Sequence, residues 1–583
     1  MRKFPRLLPS PRALVAALAL IASVASVALV PAEPGSAAGS FTFYGSGYGF
    51  GLGLSQWGAY GMALRGYNAD QILTHFFSHT SVQQATNAPS SLRVGLAQAQ
   101  HDVHLAALGG RVTLRIGGSR GTIIGRIRKG DTWRVEVASG HYRVLNADGK
   151  RVGGRDWGGT RHDLLATYTD SDARVRVPEG GATYNRGFLE FNLYDCADGC
   201  DMRLILTVSP QGYLYGVSEV SSSWPAAALR AQAIAARSYA FAKAAGGQHR
   251  SPCNCAVYDT SHDQVYAGWN KEYGTAGSRW VNAVDTTLGD VVAYQGRTVE
   301  AYYTSSSGGY TENNENVWGG SPIPWLRGVC DPGDYTKANP NRAWSVSMSA
   351  SHVTSALRPY TGDIGDVDAF GSGRRGVSGR IESITVRGTS GSSSVSGAEL
   401  RIALGLRDDR VWIDANRNIT GKIRAKYDAL MCAPGLPTSP AKDVAGGTRQ
   451  RFAAGAIYRN PQVPATVWLH GRIYDEYGAV GGAGGVLGLP REDPTPITDA
   501  AGCGDSGCDV ASFDGGRIYH KHGVGTYALW GRVLTAYMDV GGARGTLGFP
   551  TSRVEQPGDG SATATFEHGS ISCAAGADTC TVQ

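Results

Sequence analysis

The chain has 583 residues, enough for roughly three to five domains. At 42% hydrophobic it is neither a mini-protein held by staples alone nor a mostly disordered chain. Its 81 glycines follow no G-x-y period, which excludes collagen, and 55 basic against 49 acidic residues (net +6), with no Lys/Arg block, give no footing for nucleic-acid binding.

Arg2, Lys3, Arg6 and Arg12 precede an apolar, Ala- and Val-rich run from Ala13 to Val30, and the small residues Ser36 and Ala38 suit a cleavage site. This predicts a secretory signal over 1–38, with an uncleaved anchor as the other reading. A dense glycine motif at 45–59 and a helical pattern come next. The body then carries strand signals at Leu92–Ala97, Val112–Ile116, Trp133–Val137, Leu189–Leu193 and Leu204–Val208, which are alternating or β-branched runs punctuated by turn residues. One clear helix is expected over Pro225–Ala245. It is Ala-rich, with Ser223 as its cap, Pro225 near its first turn and Gly246-Gly247 at its end. Arg230 and Arg237 share one stripe of that helix, either as solvated surface residues or as a basic edge facing a polar site.

Ten cysteines suit an exported chain. Close spacing suggests the pairs Cys196/Cys200, Cys503/Cys508 and Cys573/Cys580, leaving Cys330 and Cys432 to pair over a long loop. Cys253 and Cys255 are two apart, and a bridge, free thiols or metal ligation all remain open there.

A stretch rich in Pro, Gly, Ala and Ser at 436–446 reads as a linker. Beyond it, over 447–583, the chain repeats. Gly471-Arg472 matches Gly531-Arg532, Tyr477 matches Tyr537, and Leu487-Gly488-Leu489-Pro490 matches Leu547-Gly548-Phe549-Pro550. A second element, F-x-x-G-x-I, recurs at Phe452, Phe513 and Phe566. Such units stack and share a core. The fold class expected is α+β: a β-rich body over 39–435 with one principal helix, then a small-repeat module.

The literal Leu-Gly-Phe-Pro at 547–550 makes the repeats resemble LGFP repeats of secreted actinobacterial proteins. The resemblance implies tethering to the cell envelope and a secreted, cell-wall-associated location. Four stretches make the body resemble the SpoIID/LytB family. They are Gly45-Ser-Gly-Tyr-Gly-Phe-Gly-Leu-Gly-Leu-Ser-Gln-Trp-Gly-Ala59; Tyr213-Leu-Tyr-Gly-Val-Ser-Glu-Val220 with Leu229-Arg-Ala-Gln-Ala-Ile-Ala-Ala-Arg-Ser-Tyr239; Asp259-Thr-Ser-His-Asp-Gln-Val-Tyr266; and Ala301-Tyr-Tyr-Thr-Ser-Ser-Ser-Gly-Gly-Tyr-Thr311 with Trp318. The family's sporulation member is a lytic transglycosylase of peptidoglycan glycan strands, and its LytB side is described as enhancing a wall amidase. The resemblance therefore implies one of two roles: cleavage between N-acetylmuramic acid and N-acetylglucosamine to leave 1,6-anhydro ends, or non-catalytic binding that enhances an amidase.

By motif, Glu219 matches the family's catalytic glutamate, acting as acid and then base. Such a lyase can work with one carboxyl group, because the muramyl 6-hydroxyl itself attacks C1. Read from residues alone, Glu219 is a carboxylate at a helix start, paired to Arg230. Arg230 and Arg237 are expected to help fix the local charge. Ser55, Gln56, Tyr302, Ser305 and Trp318 are the candidate sugar contacts, with the glycine stretch packed closely beneath the cleft. The family pattern Gly-His-Gly here reads Gly49-Phe50-Gly51, which removes a titratable group. Some family members bind zinc through one His and two Cys, but Tyr258 and Asp263 occupy the bracketing positions here. His249, His262, Cys253 and Cys255 have no strong zinc spacing. The expectation is no metal and no cofactor.

Overall fold

The computed structural model describes residues 39–583 apart from 161, 169, 198 and 504–506, so the signal read over 1–38 lies outside the described residues. The alternating runs of the body form strands where the pattern places them. Leu92–Gln100, Asp201–Val208, Phe188–Tyr194, Leu164–Thr167, Val112–Ile116 and Thr122–Ile127 are successive antiparallel neighbours in a seven-stranded sheet. Val257–Tyr258 joins its edge in parallel, beside Leu92–Gln100. A five-stranded antiparallel sheet carries Asp102–Gly109 and Thr132–Ala138 at its centre. The inward residues of both sheets, Val94, Phe191 and Leu204 from one and Leu105, Val135 and Val144 from the other, share one buried core.

The expected helix forms over Ala226–Ala245. Its start differs from expectation. Ser223 bonds Ser221 at 2.8 Å rather than capping the helix, and Pro225 takes the cap position with no side-chain bond. Fourteen of its 20 residues are buried, because two cores take its opposite sides. Leu229, Ala233, Ala236 and Ala240 pack into the sandwich core. Ala228, Ala231, Ile234 and Ala235 face a second core built with Leu54, Ile72, Phe76 and Phe77.

The body holds more helix than one principal element. Gly274–Asp285, Ala350–Thr361, Gly397–Leu404 and Gly421–Ala429 are helical too, each short and rich in Gly, Ser or charge, which weakens the periodic signal. Two of them cover a third core, in which Val353 and Leu400 meet Phe41, Phe43, Ile384 and Val411.

The repeat module is built from hairpins. Phe452–Gly455, Phe513–Gly516 and Phe566–Gly569 each sit at a hairpin turn, which explains the recurrence of F-x-x-G. Leu487 and Leu489 of the first unit share a core with Phe513 and Ile518 of the second. The tyrosine of each repeat donates its hydroxyl to the glycine carbonyl of the LGFP-type turn: Tyr477 to Gly488 and Tyr537 to Gly548, both at 2.6 Å. Residues 436–446, read as a linker, run along the first hairpin, with Thr438 N–H donating to Arg451 O at 2.9 Å and Lys442–Val444 pairing with Gly447–Phe452. Phe452, Ile457 and Trp468 of the first unit pack on Ile419, Ile423 and Tyr427 of the body.

All ten cysteines are paired. Cys196–Cys200, Cys503–Cys508, Cys573–Cys580 and Cys330–Cys432 join as their spacing suggested, and Cys253 joins Cys255. That bond leaves no thiolate at 253 or 255 for a metal.

Candidate active site

Local pairing brings the first and fourth sequence stretches together. Leu54–Ser55 pairs in parallel with Tyr303–Thr304, and Tyr48 bridges Ser306. The approach is too close for a side chain. A Cβ on Gly49 (φ +131°) would lie 2.0 Å from Thr304 Oγ1, and one on Gly53 (φ +67°) 2.1 Å from the Tyr302 carbonyl oxygen.

Above this seam lies a cleft of about 510 Å³. Tyr48, Phe50 and Gln56 reach it from the glycine stretch, Tyr302, Tyr303 and Ser305 from the fourth, and His262 and Asp263 from the third. Glu219, Tyr239, Trp318 and Arg401 also line it.

Glu219 lies where the chain leaves Val217 and turns toward Pro225. Its Oε1 accepts two hydrogen bonds, from Val265 N–H at 2.6 Å and from the Tyr303 hydroxyl at 3.0 Å. The direction of the second bond is set from behind. Tyr213 donates to Gln264 Oε1 at 2.9 Å, so the Gln264 amide group donates to Ala236 O at 3.2 Å and to the Tyr303 oxygen at 3.0 Å. Tyr303 then has its hydrogen free for Glu219. Burial pushes the Glu219 carboxyl above the ordinary glutamate value, against the opposing pull of the Val265, Tyr303 and Gln56 donors and of Lys271. The Lys271 ammonium is itself pushed down to about 8 by burial and donates to Val220 O at 2.5 Å. The Val265 and Tyr303 hydrogen bonds both fall on Oε1, which leaves the other carboxyl oxygen for a substrate.

Four of the expected contact residues gather around Glu219: Gln56, Tyr302, Ser305 and Trp318. Trp318 is 49% exposed at the rim, with its ring 4.7 Å from that of Tyr302 and 5.8 Å from that of Phe50. This leaves an aromatic surface open to solvent, of the kind that stacks on sugar faces. Phe50 lines the cleft where the family pattern has histidine.

The other expected residues stand elsewhere. Ser55 is fully buried, and its hydroxyl caps the Gln56–Leu64 helix at Gly58 N–H and donates to Asp334 at 3.3 Å. Arg237 is buried on the far side of its helix, donating to Asp290 O at 2.9 Å and Val284 O at 3.2 Å. Arg230 is outside the cleft lining and makes no ion pair with Glu219.

Beneath the cleft, Ser306 and Ser307 turn inward and hold two fully buried carboxyls. Ser306 donates to Asp334 at 3.0 Å and Ser307 to Asp331 at 2.6 Å. The residues that sequence reasoning passed over are Tyr303, Gln264, Tyr239 and Arg401. The first three lie inside the quoted motifs, while Arg401 carries no motif signal.

A family model for stage II sporulation protein (SpoIID) matches residues 199–294, and one for the LGFP repeat matches residues 435–485 and 495–545. The chain is 35% identical over 155 residues to stage II sporulation protein D of Bacillus subtilis, covering 25% of this chain and 44% of that one. It is 36% identical over 136 residues to the amidase enhancer of the same organism, covering 23% of this chain and 16% of that one. An uncharacterized protein of Brachyspira hyodysenteriae matches at 29% over 189 residues, covering 32% of this chain and 48% of that one. The chain thus spans about half or less of the length of the curated relatives it matches. Carrying Glu219 and the cleft's third stretch inside the matched segment, the chain has a SpoIID domain followed by LGFP repeats.

Proposed function

We propose that this is a secreted, cell-wall-associated lytic transglycosylase of peptidoglycan, with Glu219 as its acid and base. The observation that carries the reading is the buried Glu219 carboxyl, raised in pKa and opening on an aromatic-lined cleft. The Glu219 proton passes to the glycosidic oxygen as its bond to C1 breaks. The muramyl 6-hydroxyl then attacks C1 and returns its own proton to the Glu219 carboxylate. Val265 N–H, Tyr303 and the Lys271 charge favour the carboxylate formed between those steps. Trp318 and Tyr302 receive sugar faces, and Gln56 and Ser305 offer hydrogen bonds to hydroxyls. The LGFP repeats hold the chain on the envelope.

A second reading keeps the binding and drops the chemistry: a glycan-binding enhancer of a wall amidase. It is favoured by Phe50 in the cleft and by the similarity to an amidase enhancer. Incubation with purified glycan strands, followed by mass analysis, separates the two. The lyase produces anhydro-muropeptides, and Glu219→Gln lowers their rate by roughly 10²-fold or more while leaving thermal unfolding unchanged. Strand binding with no anhydro product would leave only the enhancer.

A further inference from the structure

The two LGFP units share a backbone plan but differ at one place. In the second unit, Met538 lies over Tyr519, with its sulfur 3.4 Å from the Tyr519 hydroxyl and 3.4 Å from Arg517 Nη1. Ile497, Ala500 and the Cys503–Cys508 bridge pack around Tyr519 in the same core. Arg544 pairs with Asp499 at 2.7 Å and closes that side.

In the first unit each of these fillers is missing. Gly478 stands where the second unit has Met538, and Gly484 where it has Arg544. The turn Ala445-Gly446, between Lys442–Val444 and Gly447–Phe452, replaces the longer 497–507 segment. What remains is a pocket of about 560 Å³. Its chemistry is also altered. Arg449 stands at the position of Val510 and Tyr474 at that of Leu534, and Arg451, Tyr458 and Asp475 share the lining. Among the described residues neither Arg449 nor Arg451 is ion-paired, whereas Arg491 and Arg553 of the same module pair with Asp514 and Glu476. Arg449 Nε–H is buried and lacks a partner.

We infer that this pocket of the first unit is a binding site for a saccharide bearing an anionic group, carboxylate or phosphate. The Arg449 and Arg451 guanidinium groups take the anion, Tyr474 takes a sugar face and Asp475 accepts from a hydroxyl. The second unit, filled by Met538, does not bind. The inference is independent of the cleft chemistry and deepens the reading of the repeats as an envelope attachment.

Calorimetric titration of the full chain tests it with three probes: a galacturonate trisaccharide, glucose 1-phosphate and neutral maltotriose. At least one anionic probe is expected to bind at one site per chain, at least ~10-fold more tightly than maltotriose, and the arm that binds identifies the anion. Gly478→Met and Arg449→Val, which copy the second unit, should each weaken binding at least ~10-fold. A Cβ on Gly478 meets nothing within 4 Å, so that variant keeps the fold, as unchanged thermal unfolding will confirm. Binding of neither anionic probe, equal binding of the neutral one, or undiminished binding by both variants overturns the site. Cosedimentation with isolated cell walls tests the attachment reading separately. A chain that binds the acidic probe but ignores walls overturns that reading and leaves the pocket standing.

Discussion

Tyr303 donates to Glu219 Oε1 at 3.0 Å because Gln264 already donates to the Tyr303 oxygen, also at 3.0 Å. The bond favours the charged form of Glu219 and so opposes the burial that raises its pKa. Tyr303→Phe removes that opposition. Its carboxyl then stays protonated to higher pH, so the alkaline limb of the rate profile moves upward. In the proposed lyase, the carboxylate formed between the two proton transfers loses a charge-assisted bond worth ~1.5–3 kcal/mol, and kcat falls roughly 10- to 100-fold. A pH–rate profile of wild type and variant reads both effects. An alkaline limb that stays in place would remove Tyr303 from control of Glu219.

Arg237 offers the opposite case, an arginine of a quoted motif that serves the fold. Burial pushes its guanidinium pKa down to about 10, yet it remains charged near neutrality, held by the Asp290 and Val284 carbonyls. Arg237→Met leaves those carbonyls without their donor, at ~1–3 kcal/mol each. Chemical denaturation should show a loss of about 3 kcal/mol, while kcat/KM per folded molecule stays within about twofold of wild type. A selective fall in kcat with stability intact would return Arg237 to the site.

Much of this was legible in the sequence. Alternating runs gave the strands, alanine content gave the long helix, and the Leu-Gly-Phe-Pro turns marked the repeats. What the sequence could not supply was the direction of neighbouring side chains. Tyr302 and Tyr303 are adjacent, yet Tyr302 packs against Trp318 at the rim while Tyr303 reaches Glu219. Ser305 lines the cleft while Ser306 turns inward to Asp334. Successive residues of an extended chain face opposite ways, and a motif does not say which set faces substrate. The stripe shared by Arg230 and Arg237 failed for a related reason. It presumed one wet face on a helix that two cores bury.

The glycine seam can be tested by one methyl group. Gly53 has φ +67°, and a Cβ there would lie 2.1 Å from the Tyr302 carbonyl oxygen. Gly53→Ala therefore carries the left-handed penalty of ~1–2 kcal/mol plus the displacement of the paired strand. A drop of at least about 2 kcal/mol is expected, together with a rise in KM for glycan strands as Tyr302 and Ser305 shift. An unfolding curve that overlays wild type would mean the seam yields freely.

Asp331 and Asp334 supply a test that does not depend on catalysis. Both are fully buried, with serine hydroxyls as their main partners, and the nearby Arg424 is taken by Asp428 at 2.8 Å. Burial raises the Asp331 carboxyl to about 6. Burial, with Asp331 beside it, raises the Asp334 carboxyl to about 7. In the unfolded chain both titrate near ~3.9. The folded chain thus binds more protons than the unfolded chain between about pH 4 and 7. Stability from the pair is complete below that window and is lost as pH rises through it. Asp334→Asn deletes one of these two titrations, the one that burial and the Asp331 charge raise the further. Urea denaturation across pH 4–8 should show wild type losing stability relative to the variant as pH rises, by at least ~1 kcal/mol over the window. Parallel curves for the two proteins would show that these carboxyls already share their charge with the surrounding hydroxyls at no net cost.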